Sequence, residues 1–386
     1  MHPSSNLPLY KQIEARFKPI FAKRIPKTVF GPTPSSVFVG KYGYPNVFTG
    51  PMVAVTDTNL SLSGQPGKWY GLTTDRIIEL NLSLARGEKT TNIKDTESRL
   101  ARDVRDAALS VKPTDVEVQF EKELIPRVQF SSYLQPMGAS GKMEKFTMAG
   151  NPRIPRKVES LTQEKITVRT ALEEGYSHGL GDVYYLQKLL SVGALGIEKK
   201  MVPTRWSITA SDKILADYYL ETVRECRQLD EIRIYSNTYL GNHFEILMLP
   251  GAWEFEQFES WEPNSNWQQA GGADLEYEYE PYGGRSDYAE REGGGYYSSR
   301  LAIAHHLYLL RRQARVVVFR EISDEYAVPV GCWQVRENVR EALKKPPLKF
   351  ENLQAALTHL TTGLKRPMAQ YLHKSMILQQ KKLIDF

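Results

Sequence analysis

Cysteine is scarce. Cys226 and Cys332 are the only two in 386 residues, and they lie far apart. Nothing places them as a disulfide or completes a zinc quartet, so no structural zinc is expected and a reducing, cytoplasmic setting fits. Long apolar runs are also missing. No stretch approaches the roughly 20 residues that cross a bilayer, so no membrane partner is expected. The opening Met1-His2-Pro3-Ser4 is polar and breaks early, which predicts no secretory leader. No internal repeat is evident. Gly293-Gly294-Gly295 opens a predicted helix but lacks the spacing and the lysine of a Walker loop.

What is present is a globular composition, 41% hydrophobic and 25% charged, with a net charge of +5. That balance excludes a disordered chain. The mild basicity is compatible with nucleic acid. The length accommodates one large domain or two interlocked ones. The mixture of helical and strand periodicities predicts an α+β fold, a mixed or antiparallel sheet with surrounding helices. Helices are expected over 75–86 and 96–111, capped by Asp75 and Thr96, and over 181–195, 293–312, 351–362 and 367–378. A further helix opens near Gly331. Strands are expected at 37–39, 115–121 and 315–322, and as an antiparallel meander over 231–239, 243–249 and 253–261. Residues 135–157 and 262–295 read as loops. The chain then divides into a basic arm at 1–28, an N-terminal part at 29–140, a C-terminal part at 141–366, and a last helix with a tail at 367–386.

Several polar groupings point to ligands. In the arm, Lys11, Arg16, Lys18, Lys23, Arg24 and Lys27 face Glu14 alone, as a phosphate-contacting arm or a solvated helix face would. Lys41, Tyr42, Tyr44 and Asn46 stand on a Gly- and Pro-rich turn at the end of a buried strand, a place that suits ligand contacts or an elaborate structural turn. Arg205, Ser207 and Thr209 alternate ahead of a helix expected to be capped by Ser211 or Asp212. In a strand all three would point one way and, with the helix N-terminus, form a phosphate cradle; the plainer alternative is a capped helix with a structural arginine. Arg300 and Arg336 lie near other helix starts. Together with Lys41, Tyr42 and Arg205 they would line a basic cleft. Glu254 and Glu256 share one face of a predicted strand. Paired carboxylates there could hold Mg²⁺ or Mn²⁺ for phosphodiester hydrolysis, or lie on the wet side of an edge strand. Glu173, Glu174, His178 and Asp182 read as caps and solvated acids better than as metal ligands.

The chain ends Gln380-Lys381-Lys382-Leu383-Ile384-Asp385-Phe386. Gln380, Leu383 and Phe386 fall at i, i+3 and i+6, and one 3₁₀-like turn brings them to one side. An apolar plug of this kind fills a pocket on a partner. It resembles the box by which DNA-processing proteins dock on the sliding clamp PCNA, although only one aromatic is present.

Taken together, these residues resemble the archaeal Nre (novel repair) proteins. The strongest stretches are 39–52, 202–213, 241–261, 293–306 and 328–340, and the terminal box stands at the family's position. The resemblance implies a cytoplasmic DNA-damage-response factor that works with the sliding clamp. It supplies no chemical step. Many members begin with a four-cysteine zinc motif. This chain has no cysteine before Cys226, so it resembles a zinc-less branch. The resulting expectation is a repair factor that binds DNA, RNA or a free nucleotide. Its rivals are a metal-dependent nuclease or nucleotide-processing enzyme, and an adaptor with no chemistry of its own.

Overall fold

Two six-stranded sheets organise the chain, each with helices of its own. The computed structural model describes residues 15–17, 24–125, 137–180, 182–263, 274–326 and 328–379. The fold is α+β, and it divides into two units. The N-unit is Ser5–Ile214 with Val328–Gly331. The C-unit is Leu215–Ala327 with Cys332–Phe386 and Met1–Ser4.

The N-unit sheet contains β1 (Thr28–Thr33), β2 (Val37–Val39), β3 (Asn46–Ala54), β4 (Leu84–Asn92), β5 (Thr114–Phe120) and β6 (Ser140–Met148), in the order β1-β5-β6-β4-β3-β2. Only the β4–β6 pair is parallel. Strand β5 shows why it forms. Val116, Val118 and Phe120 are sealed from water, while Asp115 is exposed and Glu117 and Gln119 are partly so. Strand β6 occupies part of 135–157, where the composition suggests a loop. Lys142, Glu144 and Lys145 give it a polar look, but Met143 and Phe146 are buried and β5 pairs along it.

The N-unit helices are α1 (Thr74–Leu82), α2 (Arg99–Leu109), α3 (Arg156–Gln163), α4 (Val168–Ser177), α5 (Val183–Ser191) and the first part of α6 (Thr204–Val223). Thr73 and Ser98 cap α1 and α2, not Asp75 and Thr96. Their hydroxyls accept from the Arg76 and Ala101 amides at 3.3 Å. Asp182 caps α5 and Glu173 pairs with Arg169, so both have structural uses.

In the C-unit, β7 (Arg227–Gln228) pairs with β12 (Arg312–Gln313) as a small parallel ribbon. The main sheet contains β8 (Ile232–Tyr239), β9 (Asn242–Leu249), β10 (Glu254–Trp261), β11 (Leu275–Glu280), β13 (Arg315–Ile322) and β14 (Leu348–Phe350), in the order β11-β10-β13-β9-β8-β14. The three strands of the expected meander form, but they are not consecutive neighbours. Strand β13 inserts between β9 and β10 and runs parallel to β10. Its run Val316-Val317-Val318-Phe319 is buried throughout, as a strand covered on both faces must be. Strand β11 lies within the expected 262–295 loop and forms the edge that β10 was expected to form.

The C-unit helices are α7 (Gly294–Leu310), α8 (Trp333–Lys344), α9 (Leu353–Gly363), α10 (Met368–Lys374) and α11 (Met376–Gln379). Phe258, Val317, Phe319 and Leu247 pack on one face of the sheet against Leu360, Met368, Tyr371 and Ile377. On the other face α7 comes so close that a Cβ at Gly295 would stand 2.4 Å from the Glu259 carboxylate. The division between the units falls within α6, whereas 140–141 lies inside β6. Among the described residues no helix is long and apolar enough to cross a membrane.

Candidate nucleic-acid interface

The polar residues expected on the turn after β2 are found together at the surface of the N-unit. The turn is tight for a stated reason. Gly43 has φ +79°, and a Cβ there would sit 2.6 Å from the Asn46 carbonyl oxygen. The Asn46 amide closes the turn by donating to the Gly43 carbonyl at 2.9 Å. Beneath it Val39, Val47, Ile93 and Met201 form a small buried cluster. Above it Lys41 is half exposed, and Tyr42, Tyr44 and Asn46 are exposed.

Two further segments complete the face. Strand β4 lies beside β3 with Asn92 opposite Asn46, and the Asn92 amide donates to the Asn46 side chain at 2.9 Å. Beyond β4, the Ile93 amide donates to the Pro45 carbonyl and the Met201 amide to the Ile93 carbonyl. These bonds bring the start of α6 alongside. The Val39 amide fixes it further by donating to the Thr204 hydroxyl at 2.9 Å. Trp206 then meets Tyr44, with ring centroids 5.2 Å apart and planes tilted by 55°.

The face is aromatic and basic. Tyr42, Tyr44 and Trp206 are 66%, 49% and 42% exposed. The Lys41 amine lies 4.9 Å from the centre of the Tyr42 ring. Lys94 follows Ile93 and Lys200 precedes Met201, and both are exposed. No ion pair engages Lys41, Lys94 or Lys200 among the described residues. The nearby Asp95 carboxylate accepts from the Ser98 amide within its own turn. Trp206 was not singled out from the sequence. Its signal was a large aromatic beside Arg205 at a polar helix start, where a core residue has little to bury against.

The expected phosphate cradle takes a different form. Residues 204–213 are helical, not extended, because α6 starts directly after Pro203. The Pro203 carbonyl accepts from the Trp206 and Ser207 amides, as a proline at a helix start permits. Arg205 stands in the first turn and is partly exposed. Ser207 and Thr209 are buried, and their hydroxyls donate back to the Thr204 and Trp206 carbonyls. Ser211 and Asp212 are fully buried within α6 and cap nothing. Asp212 accepts from the Gln187 amide at 3.0 Å.

Comparison with known proteins now decides the family. A family model described as Archaeal Nre, N-terminal, matches residues 4–268, and one described as Archaeal Nre, C-terminal, matches residues 280–386. The chain belongs to the archaeal Nre family. It is 33% identical over 366 residues to the DNA repair protein NreB of Archaeoglobus fulgidus, covering 94% of this chain and 93% of that one. It is 35% identical over 342 residues to NreA of the same organism, covering 87% and 85%. It is 33% identical over 374 residues to the DNA repair protein NreA of Haloferax volcanii, covering 93% and 89%. No solved structure matches the chain.

In this Nre chain Arg300, Arg336 and Glu256 lie in the C-unit and are buried, and Glu254 in the same unit is partly buried. Arg300 is 3% exposed, and Arg336 is fully covered. Arg300 donates to both Glu280 oxygens at 2.6 and 2.7 Å and to Asp217 at 2.8 Å. Arg336 donates to the Ser298 hydroxyl at 3.3 Å. Neither guanidinium meets solvent as a cleft-lining cation would.

Glu254 and Glu256 lie on an internal strand, not a wet edge. Glu254 pairs with Arg315 and accepts from the Tyr279 hydroxyl, each at 2.7 Å. Glu256 is fully buried and accepts from Ser375 at 2.6 Å, from Tyr277 at 2.8 Å, and from the Met376 and Ile377 amides. Burial raises its pKa, and these four donors oppose the rise. To hold a metal, both carboxylates would have to give up these bonds.

Three of these donors, Ser375 and the Met376 and Ile377 amides, stand at the start of α11, the last described helix. Arg315 holds the same helix by donating to the Ile377 carbonyl at 2.7 Å. The Gln379 amide donates to the Leu372 and His373 carbonyls. Gln380, Leu383 and Phe386 of the terminal box lie outside the described residues, as does most of the basic arm.

Proposed function

We propose that this Nre chain is a DNA repair factor that binds nucleic acid through the face around Lys41, Tyr42, Tyr44, Asn46 and Trp206. It is a member of a zinc-less branch, recruited to the sliding clamp by Gln380, Leu383 and Phe386. The nucleic-acid part rests above all on one observation: exposed rings share a face with lysines that make no ion pair among the described residues. The names of the relatives support the repair role. Lysines of this kind attract phosphates and release counterions, so binding should weaken steeply with salt. Lys41→Ala should flatten the log–log salt dependence by about one unit. A slope equal to the parent's would remove Lys41 from the interface.

The clamp part rests on the terminal pattern and on the anchoring of α11 just before it. A tail that leaves from a fixed helix presents its plug with less chain to order on docking. Burying the Leu383 and Phe386 side chains contributes roughly 1.5–3 kcal/mol each. After the ordering penalty this suits micromolar binding, raised by avidity on a ring with several sites. Every described contact of α11 ends at residue 379. Deleting 380–386 should therefore abolish capture of the clamp and leave the melting temperature unchanged. Capture at full strength by the truncated chain would end the proposal.

A further inference from the structure

We infer that the N-unit face takes single-stranded DNA, with unpaired bases stacking on Trp206 and Tyr44 and phosphates meeting Lys41, Lys94 and Lys200. This rests on the nucleic-acid reading above and names its substrate. Three observations favour a single strand over a duplex. First, the rings are presented rather than packed. Trp206 and Tyr44 touch each other at 5.2 Å and keep 42% and 49% of their surfaces in water. A duplex hides its base faces and has no use for flat aromatic surfaces, whereas an unpaired base has a π-face that stacks on any ring. Second, the lysines adjoin the segments that present the rings. Lys41 precedes Tyr42 and Tyr44, and Lys94 and Lys200 border the Ile93–Met201 bond that brings Trp206 alongside. A strand whose bases lie on the rings puts its phosphates on that border. Third, the rim contains amides. Asn46 and Asn92 are bonded to each other and exposed, so they can meet base edges without discriminating strongly among bases.

A protein partner fits less well. The cores of protein interfaces favour aromatics but are depleted in lysine. Here lysine is interleaved with the rings.

The test is fluorescence anisotropy on the full chain at low salt. The probes are a labelled DNA strand of about 20 nucleotides, long enough for a site of this type, its blunt duplex, and the RNA strand of the same sequence. The variants are Trp206→Ala, Tyr44→Ala, Trp206→Phe and Lys41→Ala, each checked for an unchanged circular dichroism spectrum. The single DNA strand should bind at least roughly tenfold more tightly than the duplex. Removing either ring should weaken it roughly five- to hundredfold, the span for one stacked base, with the salt slope unchanged. Trp206→Phe should recover most of the loss. Duplex bound as tightly as single strand, RNA bound more tightly than DNA, or ring variants that match the parent would each overturn the inference. If ring removal has no effect while Lys41→Ala still lowers the salt slope, stacking is wrong and nucleic-acid binding stands. If the parent binds none of the three probes, both readings fall.

Discussion

Tyr42, Tyr44 and Trp206 stand in water on the N-unit, while Glu256, Arg300 and Arg336 of the C-unit are almost fully withdrawn from it. Each group reverses the usual partition of aromatic and charged residues. The reversals differ in kind. Each buried charge is met by groups of its own chain: Glu280 and Asp217 at Arg300, four donors at Glu256, and Ser298 at Arg336. These groups hold β10, β11, α6, α7, α8 and α11 together. The exposed rings keep much of their surface in water, and their ring contacts among the described residues are with each other and the Lys41 amine. Residue type alone therefore does not mark a site in this molecule. A site is marked by groups whose neighbours leave them something to bind.

The comparison breaks most easily at Arg300. If it is a structural charge, removing it leaves Glu280 buried at 2% exposure, with the Trp253 and Tyr296 side chains as its remaining side-chain donors among the described residues. Breaking a buried pair from one side costs about 3–5 kcal/mol. Arg300→Ala should lose that much in urea unfolding, and Arg300→Met combined with Glu280→Gln should regain more than half. A single variant within about 1 kcal/mol of the parent, the scale of an exposed pair, would mean that Arg300 is not structural.

A smaller effect is expected at Glu292, which is 7% exposed and whose two carboxylate oxygens lack a hydrogen-bond partner among the described residues. Burial, then the charges of Glu259 and Glu278, push its pKa well above the usual carboxylate range, against a weaker pull from Arg320 and the nearby Gln257 side chain. The unfolded chain releases this proton near pH 4.3, the ordinary value for a glutamate. Above that pH the folded state still holds it, so the folded state binds more protons and stability falls as pH rises through the window. Glu292→Gln should flatten that fall and raise stability at neutral pH by about 1–3 kcal/mol, the scale of an unsatisfied buried group. Unfolding curves at several pH values read both. Destabilisation at neutral pH would show that the charged carboxylate has a partner worth keeping.

Much of this was legible in the sequence where the signal is local. The α+β class, strand β13 and the stretch 231–261 follow from periodicity, and Arg315–Ile322 has the expected bounds. The turn residues Lys41, Tyr42, Tyr44 and Asn46 were legible because Gly43 and Pro45 force the chain to the surface there. What was hidden depends on partners distant in sequence. That β10 is internal follows from β11 and β13 closing on it, which neither the metal-site nor the wet-edge reading of Glu254 and Glu256 could show. Nothing local to Arg300 reveals Glu280 and Asp217. At Arg205, Ser207 and Thr209 the alternation of polar residues fits a strand and a helix face equally, and Pro203 was the deciding residue. Trp206 was hidden for the same reason, since its exposure follows from the helical start of α6.

The finest test concerns the ring with the least to lose. Tyr42 is 66% exposed, and the Lys41 amine lies 4.9 Å from the centre of its ring. Little of its area leaves water on folding, so truncation returns little apolar surface to solvent. The exposed cation–π contact is worth about 0.5–1 kcal/mol at most, and surface changes of this kind usually fall within about 0.5 kcal/mol. Tyr42→Ala should thus unfold like the parent in urea. A ligand that binds only the folded state raises its stability in proportion to affinity. Saturating single-stranded DNA should accordingly raise the melting temperature of the parent more than that of Tyr42→Ala, although their apo values coincide. A loss of about 2 kcal/mol without ligand, beyond what surface substitutions bring, would place Tyr42 with the structural groups of the C-unit and remove the distinction between the two regions.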